Sequence, residues 1–442
     1  NNDTRTLQPG QLFLALQRAR DGHDFIPAAM EKGAAAVLCT HSVGDYPAII
    51  VEDVRLALGD IAREERKRIG MKVVGVTGSV GKSTTKEMIA AVLEKTYRTA
   101  KTPVNHNNDI GMPMAILAMS EDTEVAVLEM GMNHFREMAY LSSIGRPDIA
   151  VIVNIGTAHI EFLGSQAGIR QAKMEIVEGM PENGTLLLNG DDRMLRELSQ
   201  TPRQRIVYFG SDEGCQVRCR EIVNALDGLR FRVTHGENSF SVIMNLEGRH
   251  FVSDAMAAVA VGLELGVPEE KIRQGLRTFR NLAGRQETLR AYGYTLIKDC
   301  YNAGPESMEA ALKVLGEKQG RKIAVLGDML ELGNRSAAEH YRIGRIAATK
   351  ADVLYTYGVG RIAAERVDFV LAYGDCADRV IGGCITGGMP DRRAQAFTDQ
   401  TALACELQRI AKPGDVILFK GSHSMHMERV LEAFMKYEKD LN

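Results

Sequence analysis

The chain has 442 residues, which at roughly 150 residues per domain predicts about three domains and excludes a single small binding module. Hydrophobic residues make 45% and charged residues 25%, with 43 glycines against 12 prolines, a balance that excludes a disordered or Pro-rich linker protein. The 54 basic and 57 acidic residues leave a net charge of −3, so no global field draws the chain to nucleic acid or an acidic membrane.

No run of 18 residues is free of charge, which argues against a membrane-spanning helix. Seven scattered cysteines without a CxxC pair predict free thiols in a reducing cytoplasm. The sequence opens on Asn1 within what reads as the interior of a domain, so the first domain, 1–70, is expected to lack its start. It carries an apolar run at 12–16, a helix at 25–32 and a strand at 35–39. The charged run 63–68 reads as the solvated end of a helix. A second unit, 71–284, alternates strands at 73–77, 125–129, 149–154 and 185–188 with helices at 82–95, 134–143 and 166–178, the order of a wound, mainly parallel sheet. Short alternating segments over 206–246 predict an antiparallel extension, and helices at 255–265 and 269–278 lead to Gly284. A third unit, 285–442, places strands at 294–299, 322–327, 353–357 and 415–420 among helices at 305–316, 336–349 and 399–411. The Gly-rich stretch 373–390 fits no element.

The sharpest local signal is Gly78, Ser79, Val80, Gly81, Lys82, Ser83 and Thr84, set between a β-branched strand and a helix. Glycines let backbone N–H groups converge on phosphate oxygens, the helix start adds a favourable dipole, Lys82 supplies a point charge, and Ser83 can ligate Mg2+. The strict Walker spacing fails, because Val76 stands where its first glycine is expected. Other candidates lie at strand tips, where ligands of open parallel sheets collect. Glu129 can reach a metal beside the phosphates, although a strand-end glutamate is usually structural. A histidine placed like His159 is more often a satisfied core group than a ligand. Lys173 borders the apolar stripe of its helix, where a lysine commonly snorkels. Asn107 and Asn108 sit in a polar cluster that would also serve as a helix cap. Taken together, Lys82, Ser83, Glu129 and His159 combine a phosphate clamp with oxygen and imidazole ligands, as metal-assisted phosphoryl transfer requires. In the third unit, the loops 299–305, 327–333 and 420–424 form one substrate-facing rim.

Over nearly the whole chain these motifs resemble the Mur ligase family. Residues 77–85 resemble its ATP loop, 129–133 its magnesium-binding strand end and 154–161 its second metal loop. Residues 172–176 match the segment whose lysine is carbamylated in most members. An ammonium there would repel Mg2+, whereas a carbamate offers it oxygen ligands. The loop 327–333 with His340, the loop 301–305 and the absence of an Asp-Asn-Pro-Arg motif resemble the branch that joins D-alanyl-D-alanine to UDP-N-acetylmuramoyl-tripeptide (UDP-MurNAc-tripeptide).

The resemblance implies a three-domain α/β architecture. An N-terminal UDP-sugar-binding domain (1–70) precedes a central parallel-sheet P-loop ATPase domain (71–284), and a C-terminal Rossmann-like domain (285–442) completes the ATP and dipeptide sites. It implies ATP and Mg2+ as cofactors, with Gly78 to Thr84, Arg285, Asp299 and Asn302 around ATP. Ser83, Glu129, His159 and a carbamylated Lys173 would hold metal, and Lys82, Lys173, His159 and Glu129 would be catalytic. Thr4, Arg5, Asp21, Gly22, His23, Asp24, Asn107, Asn108, Asp328 and Lys420 fall to the substrates, UDP-MurNAc-tripeptide and D-Ala-D-Ala. A cytoplasmic monomer working in peptidoglycan precursor assembly is expected, without nucleic-acid partner or membrane insertion. Phe251 and Asp254 replace asparagines of the family's His-Asn-x-x-Asn run, Gly304 replaces a usual Asn, and His423 stands where an Arg is common. The competing readings are another Mur or folylpolyglutamate-type amide ligase, a P-loop NTPase that makes no amide, and a weakly active scaffold.

Overall fold

The computed structural model describes residues 1–198, 203–225, 228–348 and 367–441. Near the N-terminus three short strands, Leu12–Leu14, Ala36–Cys39 and Ala48–Ile50, pair in parallel. They are followed by the helix Val54–Ile69, whose Asp53 side chain caps two N–H groups and whose end is marked by Gly70 at φ +73°. Its apolar residues recur every fourth position: Val54 and Leu58 join Leu14 and Leu38 of the small sheet, and Ala62 joins the core of the next sheet. One helix thereby ties the two sheets together.

Among the described residues the central sheet has nine strands. Seven neighbours are parallel, in the spatial order Val217–Ala225, Arg205–Gly210, Thr185–Asn189, Ile149–Ile152, Lys72–Thr77, Val125–Glu129 and Thr99–Lys101. At the far edge Gly228–His235 runs antiparallel to both Val217–Ala225 and Asn238–Met244. The expected antiparallel extension therefore begins with the pairing of Val217–Ala225 to Gly228–His235 rather than at 206, because Arg205–Gly210 pairs in parallel with both of its neighbours. Helices cover both faces: Lys82–Leu93 and Phe251–Glu264 on one, Glu137–Gly145 and Gln166–Met174 on the other. Burial on both sides explains why Val125–Glu129 and Ile149–Ile152 are continuous apolar runs rather than alternating ones. Lys72–Thr77 lies between these two strands, and the chain leaves it first to one side and then to the other. That is the reversal point at which open α/β sheets bind ligands.

Among the described residues the third sheet has six strands, ordered Glu287–Ala291, Tyr294–Asp299, Val416–Lys420, Lys322–Gly327, Phe369–Tyr373 and Ala394–Phe397, with only the first pair antiparallel. The tips after Asp299, Lys420 and Gly327 are neighbours, so the three C-terminal loops do share one edge. The stretch 373–390 is corrected: it holds the helix Ala377–Thr386. Its glycines, which read as breakers, let it lie against the helix Ser336–Ala348; a Cβ on Gly383 would come within 2.0 Å of the Tyr341 carbonyl oxygen, and one on Gly344 within 1.8 Å of that of Val380. The strand expected at 353–357 lies outside the described residues. Among those described, no helix is long and apolar enough to cross a membrane.

Candidate active site

The phosphate loop is preformed. Gly81 holds φ +87° and opens the helix Lys82–Leu93, a backbone state that suits glycine. The Asn154 side chain accepts from the N–H groups of Ser79 (3.0 Å) and Val80 (2.9 Å) and donates to the Val80 carbonyl at 2.9 Å. The Ser79 hydroxyl accepts from Gly156 N–H at 2.9 Å. Asn154 thus bridges the first and third strand tips, a role the motif at 154–161 signalled only by its position. The Lys82 ammonium donates to the Gly78 carbonyl at 2.8 Å, and desolvation lowers its pKa, opposed by Glu129 and Glu331 and aided by Arg285. Lys82 therefore shares one electrostatic environment with Glu129 of the adjacent strand tip and with Arg285 and Glu331 of the C-terminal unit.

Glu129 ends the adjacent strand and is 2% exposed. Asn107 Nδ2 donates to its Oε1 at 2.9 Å, and Thr102 Oγ1 accepts from its backbone N–H at 2.9 Å. Oε2 has no hydrogen-bond partner, though Lys86 Nζ lies 3.8 Å away. Lys86 is wholly buried and donates to the Thr102 carbonyl at 2.6 Å; sequence reasoning missed it. His159, after the third tip, places Nδ1 2.6 Å from Glu331 Oε2 but without hydrogen-bond alignment. An orphaned buried carboxylate oxygen and an imidazole nitrogen without an aligned bond fit a cation site of oxygen and nitrogen ligands. Lys173 is 1% exposed, and burial, then the Lys82 charge, hold its pKa well below the lysine range. It is buried, not snorkelling, and a neutral amine is the form that can add CO2.

Across the seam, Arg285 donates to Ser83 Oγ at 2.9 Å and lies 3.8 Å over the Tyr301 ring. Tyr301 in turn donates to Asn105, and Thr157 donates to Glu306 at 3.2 Å. The Lys420 ammonium is buried on Asp299 Oδ2 (2.8 Å) and the Asn302 carbonyl (3.0 Å), while the Asn302 side chain is exposed. Asp328 is 5% exposed, and Cys376 N–H approaches its two oxygens at 3.2 and 3.1 Å. Although Asp328, His340 and Cys376 cluster, His340 Nδ1 meets the Ser336 carbonyl at 2.7 Å and Nε2 accepts from Met329 N–H at 2.9 Å. Both ring nitrogens are engaged, which makes His340 the neutral Nδ1–H tautomer bracing the 327–333 loop.

The N-terminal candidates are less concentrated. Arg5 is highly exposed and pairs with Asp3 at 2.7 Å. Asp21 caps the turn Gly22–Phe25, and its carboxylate lies 2.7 Å from His23 Nδ1 while His23 Nε2 accepts from Thr40 N–H at 3.1 Å. Asn108 accepts from the N–H groups of Ile110 and Gly111 at 3.2 and 2.8 Å, a helix-start role.

In the sequence Asp254 stands out only as a departure from the family's His-Asn-x-x-Asn run. The structure places its carboxyl under the phosphate loop: Oδ1 accepts from Thr85 Oγ1 at 2.7 Å, and a Cβ on Gly81 would fall 2.6 Å from that oxygen. Burial pushes its pKa up from 3.8 to about 7, against the Thr85 bond and the Arg285 charge. The sign follows from proton counting: between those values the unfolded chain gives up a proton that the fold retains, so stability falls as pH rises and levels off above the folded pKa. Asp254→Asn is expected to flatten that fall. Its stability relative to the parent should increase from pH 4 to pH 8 by on the order of a few kcal/mol, measured by urea unfolding at both pH values.

Two family profiles match the chain. The profile "Mur ligase middle domain" matches residues 76–262 and "Mur ligase, glutamate ligase domain" residues 284–423. The chain is 37% identical over 439 residues to the UDP-N-acetylmuramoyl-tripeptide--D-alanyl-D-alanine ligase of Bacillus subtilis, covering 97% of this chain and 91% of that one. Among solved structures, MurF from Acinetobacter baumannii superposes with a TM-score of 0.89 at 32% identity, covering 99% of this chain and 93% of its own. MurF ligase from Thermotoga maritima in complex with ADP gives 0.87 at 29%, covering 100% and 97%.

Proposed function

The chain belongs to the Mur ligase family, and from that premise we propose that it joins D-alanyl-D-alanine to UDP-MurNAc-tripeptide with ATP as the driving reactant. The observation that carries the reading is the convergence of Lys82, Glu129 and His159 from three neighbouring strand tips with Arg285 and Glu331 from the C-terminal sheet. A phosphate loop facing a second sheet's loops brings a nucleotide and two further reactants to one seam.

The loop N–H groups and Lys82 hold the phosphates and stabilise the charge that develops during transfer. The tripeptide's terminal carboxylate oxygen attacks the γ-phosphorus, the bond to the β–γ bridging oxygen breaks, and ADP leaves. The dipeptide nitrogen then forms the C–N bond, the acyl C–O bond breaks with its electrons leaving on inorganic phosphate, and the nitrogen sheds a proton. Ser83, Glu129, His159 and Lys173 as its carbamate would hold Mg2+, which when bound neutralises phosphate charge. Asn107 fixes the Glu129 carboxylate, and the buried Asp299–Lys420 pair fixes the rim that closes over ATP. Closure of the seam, already bridged by Arg285 and Tyr301, excludes water from the acyl phosphate.

The 1–70 unit is assigned to the nucleotide sugar through Thr4, Arg5 and the 21–24 turn, and the 285–442 unit to the dipeptide through Asp328 and its loop. A cytoplasmic place for the reaction is supported by seven free cysteines. Phosphate release measured with UDP-MurNAc-tripeptide and a panel of amines tests the reading. D-Ala-D-Ala should stimulate release far above single amino acids, and release indifferent to every amine would contradict it.

A further inference from the structure

We infer that Glu331 is the carboxylate that receives the ammonium of the incoming dipeptide; the inference rests on the ligase reading above and specifies the acceptor side of that site. The amine must reach an acyl carbon formed at the transferred phosphate, so its binding group has to stand beside the phosphate loop. Two cations share that place: Lys82 and Arg285 act on each other there, and both repel an ammonium. Glu129 is closed off at 2% exposure. Glu306 accepts from Thr157 and packs on Gly156. Glu331 keeps 48% of its side chain exposed and still lies 2.6 Å from His159 Nδ1, within the field of the Lys82 ammonium.

The loop that carries it is held firmly. Met329 N–H donates to His340 Nε2 at 2.9 Å, Leu330 N–H donates to Ser422 Oγ at 3.0 Å, and Gly333 rests against Glu161 of the central unit. Glu331 and His159 both hold φ at +62°, a left-handed state that non-glycine residues keep only where the surroundings impose it. Both residues of this contact are therefore held in place by their surroundings on either side of the seam. An ammonium arriving there donates a charge-assisted hydrogen bond to a carboxylate whose present neighbour is an imidazole.

Glu331→Gln preserves size and planarity and removes the charge. It is expected to raise KM for D-Ala-D-Ala at least about ten-fold while KM for ATP and for UDP-MurNAc-tripeptide stays within about two-fold, and Glu331→Asp should recover part of the loss. The hydroxy analogue of the dipeptide, D-lactoyl-D-alanine, lacks the ammonium and should inhibit the parent and Glu331→Gln equally. An unchanged dipeptide KM in Glu331→Gln, or an equal weakening of the hydroxy analogue, overturns the inference while the ligase reading stands. A parent enzyme that ligates no dipeptide overturns the ligase reading and this inference with it.

Discussion

Lys173→Ala is expected to lower ligation by about a hundred-fold or more at saturating substrates, with part of the loss restored by millimolar formate or acetate. The argument starts from burial. A lysine at 1% exposure, with burial and the Lys82 charge both acting against its protonation, is costly to keep as an ammonium. As a carbamate it becomes an anion, attracted by the same Lys82 charge and able to offer oxygens to a cation. A small carboxylic acid entering the space left by alanine supplies the same two oxygens. Lys173→Met separates function from packing. In the unmodified chain the folded pKa lies below the unfolded one, so the unfolded state binds the extra proton between them and stability rises with pH up to the unfolded lysine value of 10.5. The methionine variant should lose that slope and remain at least as stable near neutrality, yet be as inactive as alanine. Full activity in either variant would remove the carbamate from the account.

Lys82→Met should reduce turnover by about a hundred- to a thousand-fold and weaken ATP binding, with UDP-MurNAc-tripeptide binding unchanged in calorimetry. The ammonium donates to the Gly78 carbonyl at 2.8 Å, within its own loop, so the hand-over from loop carbonyl to phosphate costs little rearrangement. Lys82→Arg is not expected to rescue, because a planar guanidinium on a longer stem cannot present a compact charge inside a loop already closed by Asn154. Tighter ATP binding in Lys82→Met would contradict this placement.

Much of this was legible in the sequence, for physical reasons. The central strands are buried on both faces and so read as uniform apolar runs, and the strand-tip rule brings Lys82, Glu129 and His159 together. The family resemblance added Arg285 and Lys173. Asp254 is different: its contact with Thr85 spans 169 residues of sequence, and nothing local to its helix marks its carboxyl as facing the phosphate loop. Glu331 belongs to a recognised motif, but its partner is on another sheet. The helix Ala377–Thr386 was hidden because glycine propensity argued against it, while the tertiary gain from bringing it onto Ser336–Ala348 decided the outcome. All three residues of the edge strand Ala48–Ile50 are exposed, so it carries no alternating pattern to read.

The central claim is amide formation through an acyl phosphate, and isotope transfer tests it most directly. UDP-MurNAc-tripeptide carrying 18O in its terminal carboxylate is turned over with ATP and D-Ala-D-Ala, and the released phosphate is analysed by mass spectrometry. Attack of that carboxylate on the γ-phosphorus, followed by C–O cleavage, delivers one labelled oxygen to each inorganic phosphate. Phosphate that emerges unlabelled while the peptide product forms, or that is released without any product, would contradict the account.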